Sequence, residues 1–131
     1  MFEARTNARS EMREITREVQ AVLSRSRTKR GHVVVFSFHT TAGLTINENA
    51  DPSVQADLLA ALERLVPWEQ SWYRHAEGNS AAHIKAGLMG ASVTAPFENG
   101  RLALGQWQGI FLCEFDGPRT RRVGVRVVAE E

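Results

Sequence analysis

The stretch that decides the fold is His32-Val33-Val34-Val35-Phe36-Ser37-Phe38, which runs directly into His39-Thr40-Thr41. Apolar residues occupy both its odd and its even positions, and most of them are β-branched or aromatic. This pattern is typical of a strand that is buried on both faces of a sheet. We therefore predict a central strand with His39 at its end.

Upstream of this strand, Ser10 to Leu23 carries apolar residues in steps of three and four. The apolar positions are Met12, Ile15, Val19, Val22 and Leu23. Such spacing predicts one face of an amphipathic helix, for which either Ser10 or Thr16 could serve as the N-cap.

Downstream, Leu44 to Asn47 predicts a short strand, and Asp51-Pro52 predicts a helix start with Asp as the cap and Pro at the first helical position. Pro67 should end this helix. Its buried side is expected to consist of Val54, Leu58, Leu62 and Leu65. A second helix is predicted from about Ser80 to Met89, with Asn79 as its cap and Gly90 at its end.

The last third of the chain reads as strands. The predicted strands are Ala91 to Pro96, Arg101 to Leu104, Trp107 to Phe115 and Arg121 to Val128, with a hairpin turn at Asn99-Gly100. Helices and strands mixed early, followed by strands late, predict an α+β fold, a largely antiparallel sheet or sandwich with a few helices. We expect residues 1–131 to form one domain.

The composition narrows the class of protein. Sixteen basic and fifteen acidic residues give a net charge of +1, which offers no broad basic surface for nucleic acid. The longest stretch without charged side chains, from Gly31 to Asn47, contains histidine, threonine and asparagine, so we expect no membrane span. Cys113 is the only cysteine, and the first residues lack the apolar run of a secretory signal. We expect a cytoplasmic protein.

Three histidines form the main candidate site. His75 and His83 bracket a Gly-Asn-Ser turn, and His39 stands at the predicted strand end. Three imidazoles from a strand, a loop and a helix could bind a metal and leave a position open for water or substrate. The alternative is that all three are ordinary buried or surface histidines, since their spacing matches no standard metal motif.

Candidate anion-binding residues lie beside these histidines. The free amides after Asn79, at the predicted helix start, would attract a phosphate, although simple capping also explains this residue. The hydroxyls of Thr40 and Thr41 could bind phosphate, or could satisfy only the backbone at the strand end.

The segment from Glu114 to Arg122 ends a predicted strand in a charged turn. One interpretation is that Glu114 carries a proton and Arg119 binds phosphate. The other is that Asp116 simply pairs with Arg119 across the turn. Glu48 is a second candidate proton carrier, because Asp51 is expected to be occupied as a helix cap.

Several stretches together carry a resemblance to a known family. They are residues 36–43, 47–52, 75–83, 104–108 and 114–119, in that order along the chain. In these motifs the sequence resembles the YjbQ family, also called the secondary thiamine-phosphate synthase family. The resemblance implies a compact α+β subunit that assembles as a homotrimer with its site near subunit borders, where Trp68 and Trp72 could lie.

The resemblance also implies a metal site formed by His39, His75 and His83, around a divalent ion such as zinc, or magnesium with a pyrophosphate substrate. The implied reaction joins a pyrimidine pyrophosphate to a thiazole phosphate and releases pyrophosphate. We expect Thr40, Asn79 and Arg119 to hold phosphate while Glu114 or Glu48 moves a proton. The alternative function is a non-catalytic homotrimer that binds a small anionic ligand or serves as a scaffold.

Overall fold

The computed structural model describes residues 1–130, which form eight strands and three helices. In chain order these elements are β1 (Phe2–Arg5), β2 (Glu11–Glu14), α1 (Thr16–Ser26), β3 (Gly31–Ser37), β4 (Ala42–Glu48), α2 (Pro52–Leu65), α3 (Ser80–Met89), β5 (Ser92–Glu98), β6 (Arg101–Leu102), β7 (Gln108–Glu114) and β8 (Thr120–Ala129). No helix within the described residues is both long enough and apolar enough to cross a membrane.

The strands form two antiparallel sheets, as the α+β prediction required. One has five strands in the order β1-β8-β3-β5-β6, and the other has three in the order β2-β7-β4. In the larger sheet, Val35 lies opposite Val125 on one side and Val93 on the other. The predicted hairpin joins β5 to β6 through Asn99 and Gly100, which adopt φ angles of 53° and 75°.

The main core lies between the two sheets and includes the inner side of α1. Its buried members include Val19, Leu23, Val33, Leu44 and Ile110. A second apolar cluster lies on the other side of the smaller sheet, where Phe111 and Cys113 of β7 pack with residues of α2 and α3. Because each face of β7 meets a different cluster, this strand is buried on both faces.

The prediction that β3 is buried on both faces was wrong. Only its odd-numbered side chains face the core, while His32 and Phe36 are exposed. The outer face of the five-stranded sheet carries no helix within the part of the chain that is described. Apolar residues at both odd and even positions therefore did not indicate burial on both faces of β3. The exposed Phe36 needs a separate explanation.

The predicted helix begins later than its apolar pattern, and neither Ser10 nor Thr16 is its N-cap. The residues Glu11–Glu14 form β2, and the helix begins only at Thr16, with Ile15 in the N-cap position. Met12 lies opposite Cys113 in the smaller sheet, and the Ile15 amide donates to the Ile110 carbonyl at 2.8 Å. Met12 and Ile15 are spaced like residues on one face of a helix because both side chains point into apolar clusters, Met12 from β2 and Ile15 from the turn after it.

Helix α2 begins as predicted, with the Asp51 carboxylate accepting a hydrogen bond from the Ser53 amide at 2.9 Å. None of its residues is fully buried, however, and Leu65 is 75 % exposed, which corrects the predicted buried side. The helix lies on the surface of the second cluster. Its contact with α3 includes an ion pair of 2.6 Å between Glu63 and the buried Lys85.

Candidate functional site

A cavity of about 450 Å³ lies where the end of β3, the start of α3 and the turn between β7 and β8 meet. We call it the histidine cavity. Its walls are formed by Phe38, His39, Thr40, Thr41, His75, Glu77, Asn79, His83, Asp116, Arg119 and Arg121. The structure therefore brings together the three candidate metal ligands and the three candidate phosphate-binding residues.

His39 is held at the end of β3 by the neighbouring strand. Its Nε2 accepts a hydrogen bond from the Arg122 amide at 2.8 Å, which leaves the proton on Nδ1. Burial, and then the positive charge of Arg121, lower the pKa of His39. The ring is therefore neutral near pH 7, and one of its nitrogens is already occupied.

His75 and His83 stand next to each other on the opposite wall. Their ring centroids are 5.1 Å apart, and the rings meet edge to face at 85°. The loop that carries His75 turns at Gly78, whose φ of 74° is unfavourable for other residues and whose amide donates to the His75 carbonyl at 3.1 Å. This turn brings His75 back beside the first turn of α3, where His83 lies.

Asn79 occupies the N-cap position of α3 but does not cap it, because its side chain makes no bond to the helix amides. Its Nδ2 instead donates to Asp116 Oδ2 at 2.9 Å. The other side-chain atom, Oδ1, is buried and has no hydrogen-bond partner in residues 1–130. The amides of Ser80 and Ala81 likewise donate to no described acceptor, so the start of α3 keeps free donors.

Glu114 lies beneath the cavity and is fully buried against Arg121. The Arg121 Nε donates to one carboxylate oxygen at 2.8 Å, and its Nη2 donates to the other. The Thr6 hydroxyl and the Asp116 amide also donate to this carboxylate, at 2.7 and 2.9 Å. Burial acts to raise the pKa of Glu114, but these hydrogen bonds and the Arg121 charge outweigh burial, and the pKa lies below its usual value.

Arg121 is a wall residue of the cavity although its side chain is only 4 % exposed. Its Nε and Nη2 are held by Glu114, and Nη2 also donates to the Thr41 hydroxyl at 2.8 Å. Among the described residues, Nη1 has no hydrogen-bond acceptor. A guanidinium fixed on two sides therefore keeps a third side available for a ligand.

Arg119 forms the pair with Asp116 that the simpler interpretation predicted. Its Nη2 lies 3.1 Å from Asp116 Oδ2, and its Nε donates to the Asp116 carbonyl at 2.7 Å. The arginine side chain is 54 % exposed, so one side of it is still open to the cavity. Pairing and ligand binding are therefore compatible for this residue.

Glu48 lies away from the histidine cavity. It stands opposite Gln108 at one end of the smaller sheet, whereas Ala42, beside the cavity, stands opposite Glu114 at the other end. Six residues of extended chain separate the two positions by roughly 20 Å. Within one subunit, Glu48 cannot reach a ligand that contacts the three histidines.

A second cavity of about 490 Å³ adjoins the first and shares His75 and His83 with it. Its other wall residues are mainly apolar or aromatic and include Trp72, Tyr73 and Ile84. Trp72 is 64 % exposed, whereas Trp68 is partly buried and lies under the Arg9 guanidinium, 4.2 Å from its carbon to the ring centroid.

Comparison with known proteins identifies the family. The family model described as UPF0047 protein YjbQ-like matches residues 1–130. The chain belongs to the YjbQ family. YugU of Bacillus subtilis, a UPF0047 protein, is 50 % identical over 127 residues, which cover 97 % of this chain and 96 % of the relative. A UPF0047 protein of Methanocaldococcus jannaschii is 46 % identical over 131 residues, covering 99 % and 94 % of the two chains.

Solved structures of YjbQ-like proteins have the same fold. A YjbQ/UPF0047 family protein from Clostridium acetobutylicum superimposes with a TM-score of 0.94 at 48 % identity, covering 97 % of this chain and 98 % of its own. A conserved hypothetical protein from Thermus thermophilus gives a TM-score of 0.89 at 45 % identity, with 98 % and 100 % covered. The YjbQ fold predicted from the motifs is thus confirmed.

The metal site that the YjbQ resemblance implies has suitable donors but no ready arrangement. Three imidazoles line one cavity, and a neutral His39 is the form that binds zinc. However, its Nε2 is engaged by the Arg122 amide, and no three His, Cys, Asp or Glu side chains in residues 1–130 are arranged to hold an ion. Binding an ion with all three rings would require His39 to release the Arg122 amide.

Sequence reasoning missed Arg121 as a residue of the YjbQ site. A signal was present, because Arg121 shares strand parity with Val123 and Val125, on the side of β8 that faces the core. Glu114 shares parity with Ile110 and Leu112 in the same way. Two opposite charges on the core-facing sides of consecutive strands, close to the turn that joins them, indicate a buried ion pair. Glu77, a further wall residue, carries no comparable signal.

Proposed function

We propose that this YjbQ-family protein is a small enzyme that acts on a phosphorylated metabolite in the histidine cavity. The observation that carries the proposal is the lining of one cavity of about 450 Å³, in which three imidazoles, two guanidinium groups and the start of a helix come together. A space of this size can hold a whole small phosphorylated molecule.

Positive charge and free donors favour an anion here. Arg121 offers its unengaged Nη1, Arg119 offers an exposed edge, and the start of α3 offers free amides at the positive end of the helix dipole. Thr40, which is exposed on the same wall, adds a hydroxyl. These groups are the phosphate-binding part of the proposed site.

For the reaction, we propose a thiamine-phosphate synthase-like transfer. The ring nitrogen of a thiazole phosphate attacks the methylene carbon of a pyrimidine pyrophosphate, a C–N bond forms, and the C–O bond breaks as pyrophosphate leaves with the electron pair. Arg119 and Arg121 would stabilise the charge that develops on the leaving group. The adjoining aromatic cavity, with Trp72 and Ile84, is suited to the heteroaromatic rings.

The proton-carrying role of Glu114 or Glu48 stays a prediction. Four hydrogen bonds and a lowered pKa keep Glu114 ionised, which suits a residue that positions Arg121 better than one that exchanges a proton. Glu77 and Asp116 are the carboxylates that line the cavity itself.

A divalent ion, zinc or magnesium, remains a proposed component that no step above requires. His39, His75 and His83 would hold it, and His39 would first have to release the Arg122 amide. When bound, such an ion supplies positive charge for a departing pyrophosphate. Metal analysis of protein purified without added metal, alongside the His75→Ala variant, tests this component, and equal metal content in both would exclude it.

We also propose that the protein forms a cytoplasmic homotrimer. The outer face of the five-stranded sheet exposes Met1 (67 %), Phe36 (42 %) and Phe38 (50 %), which border a shallow cavity of about 500 Å³. Exposed apolar patches of this kind mark protein interfaces. Phe38 also borders the histidine cavity, so a neighbouring subunit on this face would lie beside the proposed site.

The central experiment measures thiamine phosphate formation from the pyrimidine pyrophosphate and the thiazole phosphate. The wild type should turn over, and His83→Ala should lose most of the activity while keeping its circular dichroism spectrum. The matched control is His32→Ala, because His32 is exposed and lies outside the histidine cavity. Equal turnover in the wild type and His83→Ala would exclude the proposed reaction at this site.

The second candidate is a non-catalytic homotrimer that binds a small anionic ligand. The observation in its favour is that Glu114, the nearest predicted proton carrier, is fully occupied. Phosphate binding by the wild type without turnover of any phosphorylated substrate would support this alternative.

A further inference from the structure

Asn79, which lines the histidine cavity, has a hydrogen-bond acceptor that no residue in 1–130 satisfies. Asn79 is only 7 % exposed, and its Oδ1 has no donor in the described part of the chain. The amide orientation is fixed, because Nδ2 donates to Asp116 Oδ2 at 2.9 Å and the flipped amide would place two oxygens against each other. A buried acceptor without a donor is costly, so a ligand that supplies the donor would be favoured.

A second acceptor stands beside the first. The Asp116 side chain is 16 % exposed and lines the cavity. Its Oδ2 accepts hydrogen bonds from Asn79 and Arg119, whereas Oδ1 accepts none from residues 1–130. The cavity thus combines cationic groups, which attract an oxyanion, with two oxygens that repel any oxyanion lacking a proton.

These two features together restrict the ligand. A fully ionised oxyanion offers only acceptors, so it would leave Asn79 Oδ1 unsatisfied and would face the Asp116 carboxylate. An oxyanion that keeps one proton can donate to either oxygen while its other oxygens accept from Arg119 and Arg121. We propose that the histidine cavity selects singly protonated phosphate groups over fully ionised oxyanions of the same size, such as sulfate. This inference rests on the proposed function, since it deepens the description of the same anion site.

Isothermal titration calorimetry with sodium phosphate and sodium sulfate, at one pH near 8 and one ionic strength, tests the proposal directly. The two ions have similar size and shape, but only phosphate keeps a proton under these conditions. The wild type should bind phosphate about tenfold more tightly than sulfate, the ratio expected when one buried acceptor is satisfied or left unsatisfied.

Two variants assign the preference to the named oxygens. Asn79→Ala removes the buried acceptor, so the ratio of the two affinities should fall severalfold. Asp116→Asn replaces a carboxylate oxygen with an amide that can donate, so sulfate should gain affinity and the ratio should fall again. Asn49→Ala is the matched control, because Asn49 is exposed and bonds to Glu14 outside the histidine cavity. Its ratio should equal that of the wild type.

The outcomes separate the two proposals. Equal binding of phosphate and sulfate by the wild type would overturn the inference while leaving the anion site intact. A wild type that binds neither ion would overturn the anion site itself and the inference with it. An unchanged preference in folded Asn79→Ala overturns the assignment to that oxygen. If Asn79→Ala does not fold, Asp116→Asn decides by the same criterion.

Discussion

The carboxylate of Glu114 and the guanidinium of Arg121 lie side by side in the interior, with side-chain exposures of 0 % and 4 %. Glu114 receives two hydrogen bonds from this arginine and two from other donors. A buried pair of this kind adds little net stability over an apolar replacement, but each partner is costly to leave alone. The pair therefore determines the position of Arg121 more than the stability of the fold.

Removing one partner should expose that cost. We expect Glu114→Ala to lower the free energy of unfolding by about 3–5 kcal/mol, because Arg121 would remain buried without its partner. Glu114→Gln, which keeps the shape and one acceptor, should lose less. Urea unfolding followed by circular dichroism measures both. The control Glu69→Ala, at an exposed position, should change stability by about 0.5 kcal/mol or less. Equal losses for Glu69→Ala and Glu114→Ala would contradict this interpretation of the pair.

His39 should make stability depend on pH. Its pKa is lower in the folded protein, so the unfolded chain takes up this proton first as the pH falls below about 6.5. The free energy of unfolding should therefore decrease from pH 7.5 to pH 5.5 in chelator-treated protein. In His39→Gln, which keeps an acceptor for the Arg122 amide, the decrease should be smaller. His32→Gln, at an exposed position, should keep the wild-type slope. A slope in His39→Gln as steep as that of the wild type would show that other groups cause it.

Cys113 should be inert in the native protein. It is fully buried, and burial raises the pKa of its thiol to about 12, so almost no thiolate exists at pH 8. Iodoacetamide should leave the folded chain unmodified for hours and should alkylate it within minutes in concentrated urea. Mass spectrometry of the intact protein distinguishes the two states. Comparable rates with and without urea would show that the second apolar cluster opens readily.

The outer face of the larger sheet should hold the proposed trimer together. The wild type should sediment with three times the 14.6 kDa mass of the chain. Phe36→Asp places a charge in the centre of the exposed apolar patch and should give monomers with an unchanged far-ultraviolet spectrum. Leu65→Asp makes the same kind of change on the exposed end of α2 and should leave the mass unaffected. A monomeric wild type would exclude the trimer.

Much of this architecture could be predicted from local signals. The Asp51-Pro52 helix start, the Asn99-Gly100 hairpin and the β7 and β8 strands follow from residues whose backbone preferences act within a few positions. The edge strand β1 was not predicted, because four residues of mixed polarity pair only with the distant β8. The exposed face of β3 was missed for a similar reason, since its apolar side chains carry no mark that distinguishes a buried face from an exposed one.

The candidate site, like the fold, could be predicted only in part. His39, His75 and His83 line one cavity, although no three metal-ligating side chains in residues 1–130 are arranged to hold an ion. The orientations of the rings could not be predicted, because the Arg122 amide that engages His39 belongs to a strand 83 residues away in the chain. Glu48 was grouped with the site on residue type, and the register of β4 places it at the opposite end of the sheet.

The residues beneath the histidine cavity come from segments that lie far apart in the chain. Thr6 donates to Glu114 across 108 residues, and β8, the last strand described, is inserted between β1 and β3. During synthesis, β1 therefore has no partner strand until β8 has left the ribosome. The histidine cavity can therefore form only after β8 has emerged, and a nascent chain stalled before β8 would expose its valine-rich β3 to chaperones.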